Sequence, residues 1–95
     1  MKDEIVLRNH QDTIRELEEK YPRGINPSDK TIPIRNRILY FESREFVAMH
    51  GYHNAPEAEK EKYKREALES YKTLESLMKE EFGKDGPFLK VDFSI

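Results

Sequence analysis

From Asn54 to Gly83 the chain repeats apolar side chains at α-helical spacing, and no other segment constrains the fold as strongly. Tyr63, Ala67, Tyr71, Leu74, Met78 and Phe82 recur every three or four residues, with Leu68 and Leu77 widening the stripe. Asn54 followed by Ala55-Pro56-Glu57 predicts the start: a capping amide, a proline where a missing N–H costs nothing, and acids beside the positive dipole end. Gly83 predicts the stop. On the opposite face Glu61 with Arg65 and Glu75 with Lys79 stand four apart, as on a solvated helix surface. The spacing therefore predicts a helix over about 55–82.

So long a helix needs partners to cover its stripe. Thr31-Ile32-Pro33 predicts the beginning of another helix, over about 33–50, with Gly51 as its stop. At about 100° per residue, Ile34, Ile38, Phe41, Ala48 and Met49 share one arc. Leu39 and Phe46 lie to one side of it, Tyr40 and Val47 to the other. A helix apolar on so many sides belongs between two packing partners.

The remaining partner lies near the N-terminus, where Val6, His10, Thr13, Ile14, Leu17 and Tyr21 share a face before Pro22 and Gly24. One reading is a helix over about 3–21. The other starts the helix at the capping-like Asn9-His-Gln-Asp12 and leaves residues 4–8 extended. Residues 22–31 form a loop under either reading. The final residues, GPFLKVDFSI, alternate Leu89, Val91, Phe93 and Ile95 with polar residues, the period of a strand with one apolar face. The predicted fold is mainly α: a single domain, a three-helix antiparallel bundle with a short C-terminal extended strand over 87–95.

Composition limits what such a domain does. Charged residues make up 38% and the hydrophobic set 36% of 95 residues, so the core is small and self-association would help it. Without cysteine there is no thiolate chemistry and no Cys-based zinc site. No apolar run approaches the roughly 18 residues of a membrane span, and the opening Met-Lys-Asp-Glu is not a secretory signal, so the expected location is cytoplasmic and soluble. The net charge of −2 conceals a basic middle: residues 21–44 carry five basic and two acidic groups. That falls short of the balance of a dedicated nucleic-acid binder.

Three constellations could carry chemistry. His10 and Glu45 occupy positions where the helical pattern asks for apolar residues, and an antiparallel hairpin of the first two helices sets them level, with Tyr63 near the same height. This is a weak catalytic candidate; a buried polar pair fixing helix register is the alternative. Arg35 and Arg37 in the first turn of the second helix, with Arg44 further along and Arg23 in the loop, could complete a phosphate or anion site at a helix N-terminus. The alternative is pairing with acids of the neighbouring helices. His50 and His53 have helical spacing, but a lone pair is too few for zinc, and Gly51 is expected to break the helix between them. No glycine-rich phosphate loop is present; no metal and no cofactor are expected.

The apolar side chains of the tail, Leu89, Val91, Phe93 and Ile95, are the expected partner-binding residues. The expected function is that of a small non-enzymatic interaction or regulatory protein. It self-associates as a homo-oligomer and engages another macromolecule through its C-terminal strand and an exposed helix face. The alternative is an anion- or nucleic-acid-binding module built on Arg23, Arg35, Arg37 and Arg44. A small enzyme using His10 and Glu45 comes third, and no membrane partner is expected.

Overall fold

The structure, a computed structural model, describes residues 2–83, with side chains from residue 4 onward. The alternating tail, with Leu89, Val91, Phe93 and Ile95, lies outside the described residues. Three helices follow in order: α1 (Lys2–Lys20), α2 (Ile34–Asn54) and α3 (Glu57–Phe82). The protein is mainly helical, and no strand occurs among the described residues.

The first helix is continuous, which settles the choice left open by the sequence. Asn9-His-Gln-Asp12 is interior to it, and the Thr13 hydroxyl donates back to the Asn9 carbonyl at 2.9 Å. The segment that could have started a new helix is thus part of an existing one, with a neighbouring hydroxyl bonded back to its first carbonyl.

The second helix corrects the expected stop. It runs through Gly51 to Asn54. A Cβ built on Gly51 would lie 2.6 Å from Cδ1 and 2.7 Å from Cε1 of Tyr63 on α3, so the glycine serves close approach of two helices rather than termination. Asn54, expected to cap α3, closes α2 instead, its amide donating to the His50 carbonyl at 2.8 Å. Only Ala55 and Pro56 separate the two helices. Ala55 is extended, as the residue before a proline prefers, and the Pro56 carbonyl accepts the first bond of α3 from Glu59 N–H at 2.9 Å. Glu57 and Glu59 occupy that first turn, where the dipole favours them.

Cross-helix bonds fix the directions. Tyr40 on α2 bonds Glu18 of α1 and Asn36 bonds Tyr21 just beyond it, while Arg37 near the start of α2 reaches Glu80 near the end of α3. Both neighbours therefore run antiparallel to α2. It packs against each, but no Cα of α1 comes within 8 Å of a Cα of α3. The expectation that α2 sits between two partners holds, and the wedge between the outer helices is filled at one end by the 21–33 loop. Ile25 and Ile32 from that loop join Leu17, Tyr40, Phe41, Leu74, Leu77 and Met78 in one cluster. Burying a leucine such as Leu74 is worth about 1.5–3 kcal/mol.

The loop holds its shape by local bonds. Gly24 turns the chain at φ +95, where a side chain would strain the backbone. The Asn26 side chain accepts from Ser28 N–H, and the Asp29 carboxylate accepts from both the N–H and the hydroxyl of Thr31. Those two bonds from Thr31 hold the Asp29 carboxyl below its ordinary range.

Candidate functional site

Two faces of α2 are covered, and among the described residues no element covers a third. Ser43 and Tyr40 turn toward α1; Arg37 and Gly51 turn toward α3. Between these faces, around the back of the helix, Ile38, Leu39 and Glu42 meet Met78 and Phe82 of α3 along an open groove of about 450 Å³. Leu39 is 46% exposed and Phe82 57% exposed. Arg35, Glu42 and Glu81 put charges of both signs around the apolar floor. A surface of this kind suits an apolar segment flanked by charges. The helical stripe assigned Phe82 to the core, and the structure places it at the edge. Its exposure was foreshadowed by α2, whose apolar residues occupy more of its circumference than two neighbours can cover.

The His10–Glu45 pairing is not what the structure builds. His10 Nδ1 and Ser43 Oγ are hydrogen-bonded at 2.9 Å, and the imidazole stacks on Phe46 with ring centroids 4.4 Å apart. Glu45, two residues from Ser43, points to the opposite side of the helix. Level alone does not bring two side chains together; the azimuth must match too. Glu45 is 7% exposed, and no hydrogen bond or ion pair to it occurs among the described residues. Burial, and then the neighbouring Glu42 charge, push its carboxyl above the ordinary value. Tyr63 packs its ring on Gly51 rather than completing a network with either residue.

The four arginines are not gathered into one patch. Arg37 is 4% exposed and turned inward: Nε donates to the Ile32 carbonyl at 2.9 Å, and one terminal nitrogen donates to the Pro27 carbonyl at 2.9 Å and to Glu80 at 3.3 Å. It fastens the loop to α2 and α3 and leaves little for an incoming anion. Arg35, two residues earlier, points to the other side at the rim of the apolar groove. Arg44 lies over the Tyr40 ring, 5.6 Å from its centroid, and donates to its hydroxyl at 3.4 Å. Arg23 is exposed in the loop. Pairing with neighbouring acids, the alternative reading of these side chains, is what Arg37 does.

Clefts bordered by charged and hydroxyl side chains open elsewhere on the described surface. Between α1 and α3 a space of about 270 Å³ is bordered by Glu18, Arg44, Tyr63, Glu66 and Ser70. Burial, and then the Glu18 carboxylate that accepts its proton at 2.8 Å, hold the Tyr40 hydroxyl above its usual range beside this cleft. Between the loop and α3 a space of about 400 Å³ is bordered by Ser28, Lys30, Thr73, Ser76 and Glu80. There the Lys30 ammonium, with help from Arg37, holds the Glu80 carboxyl below its ordinary value.

His50 and His53 now share one unbroken helix, but His53 packs edge-on to Tyr52 and is exposed. Among the described residues no three acidic, histidine or cysteine side chains cluster as a metal site would require, and no helix is long and apolar enough to cross a membrane. In comparisons with known proteins the chain matches no family model, no curated protein and no solved structure.

Proposed function

We propose that this chain is a small non-enzymatic interaction protein. It engages another macromolecule, and further copies of itself, by pairing an apolar extended segment with an apolar helix groove. The observation that carries this reading is the groove between α2 and α3, with Leu39 and Phe82 standing exposed at its edges. A chain with only 36% hydrophobic residues has few to leave in water, and these two adjoin others on one face. Residues 87–95 supply a segment of matching character.

The test is the mass in solution across a wide concentration range, for the full chain and for Leu39→Lys. The expected result is a concentration-dependent oligomer in the first and a monomer in the second, with helical content equal in both. A full chain that stays monomeric at every concentration would overturn the self-association.

A further inference from the structure

The groove lies where α3 ends. Phe82, the last residue of that helix, forms part of the groove. Gly83 follows with φ +85, a conformation that L side chains rarely adopt, its N–H bonded to the Lys79 carbonyl. The segment Gly83-Lys-Asp-Gly86-Pro87 has the composition of a reversal. Arg37 bonds Glu80, so the end of α3 stands beside the start of α2. A chain reversing there is set to run back along the uncovered face of α2.

Length agrees with that course. Nine extended residues, 87–95, span about 30 Å at roughly 3.3 Å each. The 21 residues of α2 rise about 31 Å. In an extended segment Leu89, Val91, Phe93 and Ile95 all fall on one face; with Pro87 beside Arg35, Leu89 comes level with Leu39 in the groove and the other three lie further along α2. We propose that in an isolated chain residues 87–95 dock as an extended segment along α2 of the same chain, with Leu89 in the α2–α3 groove.

This deepens the reading given above and rests on it, since it names the occupant of the groove when no partner is present. The short connection makes the chain's own tail the favoured occupant, because a brief linker holds it at an effective concentration of about millimolar. An external partner, or the tail of another copy, then gains the groove only by displacing it. Self-association proceeds by exchange of tails between copies.

The chain lacks cysteine, so a single Lys90→Cys gives a unique attachment point on the polar side of the tail for a nitroxide. In a dilute full-length sample the expected result is loss of the amide signals of Leu39, Glu42 and Met78, while Thr13 and Arg15 on α1 keep theirs. Adding Val91→Lys and Phe93→Lys to the labelled chain should restore the lost signals. Restoration counts only if the α1 signals show that the variant is folded; the labelled chain with its apolar face intact stands as the second measurement. Two outcomes overturn the docking: no loss of groove signals in the dilute chain, or loss that appears equally when the nitroxide and the isotope are on different chains. Solution mass is read separately. A docked tail in a chain that never associates would therefore refute the proposed function while leaving the docking in place.

Discussion

Replacing Gly51 with alanine sets two opposed effects against each other, and the structure decides between them. In the interior of α2 alanine is favoured over glycine by about 0.8–1.0 kcal/mol through helix propensity alone. The new Cβ, however, would stand 2.6 Å from Cδ1, 2.7 Å from Cε1 and 3.1 Å from Cγ of Tyr63. The ring would have to withdraw by about 1 Å to reach an ordinary carbon–carbon separation. Overpacking of this kind costs about 1–3 kcal/mol. Tyr63 is half-buried and borders the open cleft between α1 and α3, so it has room to yield and the lower half of that range applies.

The net expectation is a loss of about 0.5 kcal/mol, or a fall in melting temperature of about 2–4 °C for a domain of this size. The sign should reverse without the ring. In a Tyr63→Ala background, Gly51→Ala should stabilise by about 1 kcal/mol, giving a coupling of about 1.5 kcal/mol. Urea denaturation of the four proteins, followed by helical circular dichroism, measures the cycle. Equal effects of Gly51→Ala in the two backgrounds would refute the view that this glycine is present for the approach of α3.

Three further perturbations test the remaining assignments. Arg37→Met should destabilise the fold by about 2–3 kcal/mol, because charge-assisted bonds to Ile32, Pro27 and Glu80 are lost together; faster amide exchange at Ile32 would distinguish loosening of the loop from a general effect. Glu45→Gln should stabilise at neutral pH, since a carboxyl whose folded pKa is raised loses stability as pH rises from its unfolded value through its folded one. The gain should vanish below the unfolded value, where both side chains are neutral, and an unchanged stability difference from acid to neutral pH would refute it. Leu39→Lys, tested for association above, should keep the His10–Ser43 bond, which a chemical-shift map of α1 and the α1-facing side of α2 checks.

Helix type and number were legible because periodicity is a local property. The stripe from Tyr63 to Phe82 and the all-round apolar character of α2 required three helices with α2 in the middle, and that is the arrangement found. Boundaries were less legible at Gly51 and Asn54. Each residue type has two uses: glycine ends helices or admits a neighbour, and asparagine caps either end. Which use applies is set by Tyr63, twelve residues away and on another helix. Sequence pattern carries no information about a contact of that kind until the register of the two helices is known.

The candidate sites diverged for a related reason. Counting along an antiparallel hairpin gives the height of a side chain but not the side of the helix from which it leaves. His10 accordingly meets Ser43 and Phe46 at nearly the expected height, while Glu45 faces away. The same two-residue offset separates Arg35 from Arg37 and divides what the sequence presents as one basic patch into a buried fastener of the loop and a charge at the rim of an apolar groove. Polar residues on the inner faces of these helices thus hold the architecture together. The apolar surface that stays open is the one around Ile38, Leu39, Met78 and Phe82, because among the described residues α1 and α3 pack on two sides of α2 and do not cover a third. The proposed occupant, the alternating segment at 87–95, has in its sequence the period of a strand with one apolar face, which is the character such a surface would receive.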